Sequence, residues 1–565
     1  MLFLAAVVVR PVVLALASVT GESIPIAAAL PQDAPLRAEW NDAARALDAW
    51  LASPTWSTIE RSSAYAERMK RKDMRDLRGG IAIVAGLLKA PAQQAFAQAL
   101  GREVAAAALP RDGTDEPAVI LATRAASPAL AETLAQAIET LAAFTPGDAA
   151  AQEDDDGDGV RSTNGREFHA VVGDAVLVAN DRALLVESIA RLRGAQSGAP
   201  RAPGLHMHAD VVALRTAGLW KPAPTSYDNA VGALLAYGIG NALEHAEALD
   251  LELAHGQRSL RLRVVATPFS VDDAAAWFFP SRAQSVPIAL PQDTIANLAL
   301  TRDYPRFYSM RNELLDADLK GSIVEFDSIM GILFGGRSFG DEVLPAFGDN
   351  ATLIVGPQDY ADLGTPPGVQ YPGFTLVLQR SEDGKDLLKA RDLLTAFQTT
   401  LGVVNADRGQ KGLESMLQNS ERVDGIDVVS ARFLLDEDET GAPDVRFNAE
   451  PALAVTPTHV FVSSARSHLL ALLAAQRTAT SAQPVAEPHS QVRVEFPALV
   501  SLLGANEEAL VANRMVEHAE DAETARAAIQ LFLDLLRGLD ALDVAIDPAQ
   551  EGVSLTAELR TLGAL

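Results

Sequence analysis

The chain has 565 residues, 48% apolar and 21% charged, so a globular protein of two domains of roughly 250 residues each is expected. Its 47 basic and 74 acidic residues leave a net charge of −27, a field that repels nucleic acid and anionic lipid headgroups. Cysteine is absent, which excludes disulfides, thiol catalysis, thiolate metal sites and a lipid-modified cysteine.

Residues 1–19 are apolar except for Arg10, which is followed by Pro11. An arginine in mid-span costs about 2.5–3.5 kcal/mol on insertion scales, so this is a poor membrane helix and a better secretion signal. Ala15-Leu16-Ala17 and Ala27-Ala28-Ala29 both offer small-residue cleavage sites. The expectation is a signal peptide over 1–23, an exported protein of the bacterial periplasm or envelope, and no stable transmembrane span after processing. The alternative is a buried first strand of a cytoplasmic protein.

Ala29-Leu30-Pro31-Gln32-Asp33 recurs as Ala289-Leu290-Pro291-Gln292-Asp293, an offset of 260 (289 − 29). Pro25-Ile26 precedes the first copy as Pro287-Ile288 precedes the second, which favours the earlier cleavage site. Gly101-Arg102-Glu103-Val104 leads to a strand at Ala118-Val119-Ile120-Leu121, and Gly340-Asp341-Glu342-Val343 leads to Thr352-Leu353-Ile354-Val355. Val176-Leu177-Val178 runs into a helix carrying Leu184 and Leu185, matched by Val460-Phe461-Val462 with Leu469 and Leu470. Leu235, Ile239, Leu243 and Ala246 form one apolar helical stripe, repeated as Ala528, Phe532, Leu536 and Leu539.

Each half then ends in alternation with period two. Leu249, Leu251, Leu253 and Leu260, Leu262, Val264 correspond, 293 residues on, to Leu542, Val544, Ile546 and Val553, Leu555, Ala557. Such alternation is that of a half-buried antiparallel hairpin. The fold class read from these patterns is α+β. Two tandem, related modules, 24–268 and 286–565, each hold a mostly antiparallel sheet covered by helices and ending in a β-hairpin. The linker, 269–285, carries Trp277-Phe278-Phe279, which should dock on one module.

Several segments invite a chemical reading. Asp154, Asp156 and Asp158 with Gly159 fit positions 1, 3, 5 and 6 of a calcium loop, since alternating carboxylates surround a hard cation. Val160 would offer a carbonyl at position 7 and Ser162 falls at position 9, but position 12 is Gly165 instead of a bidentate Glu. The plain alternative is a solvated acidic loop, of which Asp436-Glu437-Asp438-Glu439 is a second example. Calcium at these three aspartates is the only metal or cofactor expectation.

Gly336-Arg337-Ser338-Phe339-Gly340 spells G-x-S-x-G, yet no acid and histidine partners are marked. His206 and His208 point to one face of a strand without a third ligand. Arg68, Arg71, Lys72, Arg75 and Arg78 form a basic stripe, either salt-bridged or a docking surface for an acidic partner. Tyr304, Arg306, Phe307, Tyr308 and Arg311 either line a groove or pack inward from a helix capped by Asp303 with Pro305 in its first turn.

The Leu-Pro-x-Asp opening, the Leu/Phe-Gly-x-x-Val segment before a strand, and the Val-Leu-Val-Ala-Asn-Asp turn into a helix resemble an uncharacterised family of exported bacterial proteins. That resemblance implies a signal peptide followed by duplicated α+β modules, and no known activity. The expected function is a non-enzymatic binding or scaffold protein of the cell envelope, its partner an envelope protein or polymer and not nucleic acid. Two alternatives stand: an exported hydrolase whose catalytic residues leave no local motif, and a carrier of an apolar ligand, which needs a large cavity inside one half.

Overall fold

The computed structural model describes residues 24–563 apart from 43–44, 46–50, 62, 92–94, 96–101, 112–115, 144–158, 163–164, 197–202, 221–226, 228, 257, 281–287, 317–318, 436–442, 479–487 and 549–551. Segment 1–23, read from sequence as a signal peptide, and Asp154, Asp156, Asp158 and Asp436–Glu439 therefore lie outside the described residues. Helices and antiparallel strands are mixed along the chain. Among the described residues no helix is long and apolar enough to cross a membrane.

Two compact units result. The first comprises residues 1–221, 246–268 and 558–565, and the second 222–245 and 269–557. These boundaries depart from the sequence reading in three places. Helix Ala230–His245 and the segment 269–280 group with the second unit, and the last eight residues with the first. The physical reason is visible in the second unit's core. Trp277 and Phe278 are fully buried against Ala233, Phe307, Leu314 and Leu315. Asn241 and Asp272 exchange hydrogen bonds, Asn241 Nδ2 to Asp272 Oδ2 at 3.0 Å and Asp272 N to Asn241 Oδ1 at 3.1 Å. The stretch read as a linker is thus built into a core.

In the first unit the strands are β1 (Leu36–Asn41), β2 (Glu103–Leu109), β3 (Ala118–Arg124), β4 (Arg161–Ser162), β5 (Phe168–Val172), β6 (Ala175–Ala179), β7 (Gly204–Asp210), β8 (Ala248–His255) and β9 (Ser259–Thr267). All neighbours are antiparallel, in the order β4-β5-β6-β3-β2-β1-β7-β8-β9. Register aligns an apolar row across the sheet: Val178, Leu121, Ala106, Ala38, Met207, Leu251 and Val264. Because side chains alternate, the rows on either side, one with Leu177 and the other with Ile120, face the other way into a core with Leu185 and Ile189 of helix Arg182–Gly194. The sequence reading passed over β2. Its Glu-Val-Ala-Ala-Ala-Ala-Leu has weak strand propensity, and burial of its small side chains decides the conformation.

The second unit holds β10 (Ala296–Thr301), β11 (Phe347–Gly356), β12 (Gly373–Arg380), β13 (Leu417–Val423), β14 (Ile426–Arg432), β15 (Ala452–Val455), β16 (His459–Ser463), β17 (Ser490–Glu495) and β18 (Leu539–Pro548), and the unit boundary falls inside β19 (Val553–Thr561). The order is β13-β14-β15-β16-β12-β11-β10-β17-β18, again antiparallel throughout. Its aligned row is Val462, Leu376, Leu353, Leu298, Val492 and Val544. Ile354, Val377 and Phe461, on the other face, bury against Leu469, Leu472 and Leu473 of helix Arg466–Thr478.

Of the helical stripes named from sequence, the first holds in part, since Ile239 packs on the core and Ala246 is buried, and the second is rotated. In helix Ala230–His245 the buried face is Ala233, Gly238 and Ala242, while Leu235 is exposed. In helix Ala522–Arg537 it is Ala525 and Leu533, while Phe532 is exposed. For the first helix the reason is steric: Phe278 fills the space beside the helix, so the facing residues must be small.

Candidate functional site

A run of aromatic residues after β10 builds a cavity in the second unit. Asp303 starts helix Tyr304–Ser309: its carboxylate accepts from Arg306 N at 2.9 Å, and Pro305 occupies the first turn. Tyr304, Phe307 and Tyr308 follow at i, i+3 and i+4 on one face of this helix, and Arg311 opens the next, Arg311–Leu314. They, with Leu315, Asn229 and Ala230, line a cavity of about 400 Å³. Ile323 and Phe326 of helix Leu319–Leu333 close it, with Phe339 and Leu344 of the following segment. Both readings of the Tyr304–Arg311 run therefore hold at once: the helix is capped as expected, and its aromatic face lines a hollow.

Five of the eleven lining residues are aromatic, in a chain whose aromatic content is 5%. The rings meet edge to face, Tyr308 on Phe339 at 5.3 Å between centroids and Phe326 on Phe339 at 5.1 Å. Phe307 lies 4.7 Å from Trp277, so the cavity wall rests on the buried core. Glycine at 340 lets the Tyr308 ring lie against the backbone, since a Cβ there would meet its Cδ1 at 2.9 Å.

The polar groups are few. The Arg311 guanidinium stacks 4.1 Å over the Tyr308 ring, donates to Tyr308 O at 2.6 Å and pairs with Asp327 Oδ2 at 3.2 Å. Tyr304 donates its hydroxyl to Leu300 O at 3.3 Å, and burial pushes its phenol well above the usual range. Asn229 Oδ1 accepts from Gly232 N at 2.6 Å at the start of helix Ala230–His245. Tyr308 Oη and Arg311 Nε are buried and have no hydrogen-bond partner. Such a lining is almost wholly apolar and can hold rings; it pairs no nucleophile with a base.

Behind the cavity sits a buried cation. Arg302 is wholly enclosed, donating to Leu234 O (3.1 Å), Thr301 O (2.8 Å), His489 O (3.0 Å) and Ser490 Oγ (2.7 Å), with its guanidinium 3.6 Å from the Phe278 ring centre. Burial lowers its pKa to about 10, so it stays charged at neutral pH. A second hollow of about 150 Å³ lies by Tyr360, Gln370, Tyr371 and Ser501. Beside it Asn448 is fully employed, accepting from Tyr360 Oη and Tyr371 N and donating to Val369 O and Val445 O.

The other residues singled out from sequence are not brought together. Ser338 donates to Asp341 Oδ2 at 2.8 Å and accepts from Asp341 N at 3.3 Å, capping the turn Phe339–Val343. It is a cap, with no histidine among its hydrogen-bond partners. His208 Nδ1 lies 2.8 Å from Asp250 Oδ1, and His206 stands opposite Glu39 and Glu252 on the neighbouring strands. Among the described residues no cluster of three or more potential ligands could hold a metal ion. The basic stripe is broken, because Arg68 ends one helix, Ser63–Met69, and Arg71 precedes the next, Lys72–Leu88.

Of the acidic loop, the described rear part forms its own turn. Ser162 Oγ donates to Glu167 O at 2.9 Å and accepts from Gly165 N at 3.1 Å. Sequence reasoning missed Phe326, Phe339, Leu344 and Asn229 as site residues. Their only advance signal was aromatic density in an aromatic-poor chain. No family model, curated protein or solved structure matches the chain.

Proposed function

We propose that this is an exported, non-enzymatic binding protein of the bacterial cell envelope that holds an apolar small molecule in the cavity of its second unit. The observation that carries the reading is the cavity itself. Its volume of about 400 Å³ lies within the range of small-molecule sites, and its wall is ring-rich with few polar groups. A catalytic site would bring titratable groups together with shifted pKa values; here Tyr304 is the lining residue so shifted, and its hydroxyl is spent on Leu300 O. Export rests on the apolar segment 1–19 and on the resemblance noted above.

The same proposal includes an origin by duplication, with each module ending in a hairpin. Supporting it, the two strand orders coincide when β1, β2, β3, β6, β7 and β8 are set against β10, β11, β12, β16, β17 and β18. The aligned rows then pair Ala38 with Leu298 (298 − 38 = 260), Met207 with Val492 (492 − 207 = 285) and Leu251 with Val544 (544 − 251 = 293). This matching sets β2 against β11, and so moves the Ala118–Leu121 strand opposite β12 instead of Thr352–Val355.

Two experiments test the reading. The neutral dye phenylnaphthylamine should brighten on binding the intact protein, and Ala230→Trp, which fills the cavity with a ring, should abolish the signal while the melting temperature holds. No fluorescence gain with wild type would refute the binding role. For export, residues 1–30 fused to a reporter phosphatase that is active only outside the cytoplasm should give activity.

A further inference from the structure

We infer that the smaller hollow of the second unit is a separate binding site for a quaternary ammonium group, held by the carboxylate of Asp293 and the rings of Tyr360 and Tyr371. It shares no lining residue with the larger cavity, so the inference stands apart from the binding role proposed above. Three observations carry it.

The first is how the hollow is built. One wall comes from residues 369–371, an irregular segment. Asn448 donates to Val369 O and accepts from Tyr371 N, both at 2.8 Å. Asn506 makes a matching pair with Gln370, accepting from its N and donating to its O, again at 2.8 Å. Gln358 Nε2 donates to Tyr371 O at 3.0 Å. Surface segments of this kind ordinarily turn such groups to water. Here three side-chain amides hold five consecutive backbone groups, and a wall fixed in that way lowers the ordering cost of binding.

The second is charge. Asp293 is the one charged residue lining the hollow, and it has no hydrogen-bond or ion-pair partner among the described residues. A lone carboxylate repels an anion, as does the chain's net charge of −27. A hard metal ion needs several oxygen ligands, and among the described residues no cluster of three or more could supply them. The guest that one carboxylate serves is an organic cation.

The third is the company the carboxylate keeps. Tyr360 is anchored by its hydroxyl, which donates to Asn448 Oδ1 at 2.6 Å, and Tyr371 by its clamped backbone. Aromatic faces attract cations, and rings grouped around a site are a recurrent way of holding quaternary ammonium. Ala498, Leu502 and Ala505 fall at i, i+4 and i+7 of helix Phe496–Ala505 and add an apolar side that suits methyl groups. A primary ammonium has three N–H groups to satisfy, while the Tyr360 hydroxyl and the Tyr371 carbonyl are already engaged. A volume of about 150 Å³ admits such a headgroup and is too small for a whole drug-sized ligand.

The test is a titration of the full-length protein with choline, followed by saturation-transfer NMR of its methyl protons. Dimethylbutanol, the neutral carbon isostere, and ethanolamine, the primary amine, serve as comparators. Choline should bind about tenfold more tightly than either. Asp293→Asn and Tyr371→Leu should each weaken choline about tenfold without moving the melting temperature, because both side chains are exposed. Ala230→Trp, which fills the larger cavity, should leave choline binding unchanged. Sedimentation with phosphatidylcholine vesicles separates two sources of the same group: choline-competed pelleting assigns it to a lipid headgroup, and its absence to a free solute. If choline does not bind, if a comparator matches it, or if either substitution in the hollow changes nothing, the inference is wrong while the role of the larger cavity stands. Loss of choline binding in Ala230→Trp would place that binding in the larger cavity and overturn the inference as well.

Discussion

The contact between Gly238 and Phe278 makes one substitution, glycine to alanine in a helix, change sign with position. A Cβ built on Gly238 would lie 2.2 Å from Cγ of Phe278 and 2.5 Å from its Cβ and Cδ1. Ordinary carbon contacts are about 3.5–4.0 Å, so the ring would have to retreat by more than about 1 Å. It has nowhere to go. Phe278 is fully buried, with Trp277 and Phe279 at 5.5 and 4.8 Å between centroids and the Arg302 guanidinium 3.6 Å from its centre. Overpacking of this kind costs about 1–3 kcal/mol, against a gain of up to about 1 kcal/mol from helix propensity. Gly238→Ala should therefore destabilise the second unit by about 1–2 kcal/mol. Gly331 and Gly402 also lie inside helices, but a Cβ there meets nothing within 4 Å. Gly331→Ala and Gly402→Ala should stabilise by up to about 1 kcal/mol each. Urea unfolding followed by tryptophan fluorescence and circular dichroism reads all three, fitted with separate transitions because two units need not unfold together. Equal or greater stability in Gly238→Ala would show that Phe278 is not pinned against the helix, and the account of this core would fail.

Three further predictions are independent of that core. Burial lowers the pKa of His468 to about 4, with the Asp293 charge opposing, so the imidazole is neutral when folded and protonates near 6.5 when unfolded. The unfolded state then binds more protons, and stability should fall from pH 6.5 to about pH 4 by roughly 3 kcal/mol (2.5 units at about 1.36 kcal/mol each). His468→Gln should flatten that slope in urea midpoints measured across the window, and an unchanged slope would assign it to other groups. Ser338→Ala should cost about 1 kcal/mol, the usual worth of a helix cap, and leave any ester hydrolysis untouched; loss of a measurable esterase activity would contradict the cap. Since Ser162 and Gly165 are tied into their own turn, millimolar calcium should not raise the melting temperature. A rise abolished by Asp156→Ala would restore the calcium loop, because specific binding must stabilise the folded state.

What was legible in the sequence follows from the range over which each signal acts. Alternation is local, and β8 and β9 pair with Glu252 opposite Arg263 and Leu251 opposite Val264. Capping is local too, so Asp303 and Pro305 marked a helix start correctly. The buried face of a helix is a property of its partner. Periodicity chose Leu235, which is exposed, as well as Ile239, which packs on the core, whereas the incoming Phe278 selected the small residues Ala233 and Gly238. The cavity was half legible for the same reason. Tyr304, Phe307, Tyr308 and Arg311 share one short run, but Asn229, Phe326 and Phe339 come from segments that only the fold brings together.

The placement of Arg302 explains why such a cavity can keep its shape. A buried arginine is expensive, and no carboxylate among the described residues lies within ion-pair distance of it. It is retained by hydrogen bonds that reach helix Ala230–His245 through Leu234 O, the end of β10 through Thr301 O, and β17 through Ser490 Oγ. The same guanidinium fixes the plane of Phe278, and Phe278 meets Trp277, which in turn supports Phe307 in the cavity wall. Each step is a contact between fully or mostly buried groups, so the Phe307 side of the wall rests on the residues that the cation's hydrogen bonds hold in place. On the proposed binding role, a wall ordered during folding would lower the ordering cost of binding an apolar ligand. On that same role, Arg302 would support the Phe307 side of the cavity without touching a ligand.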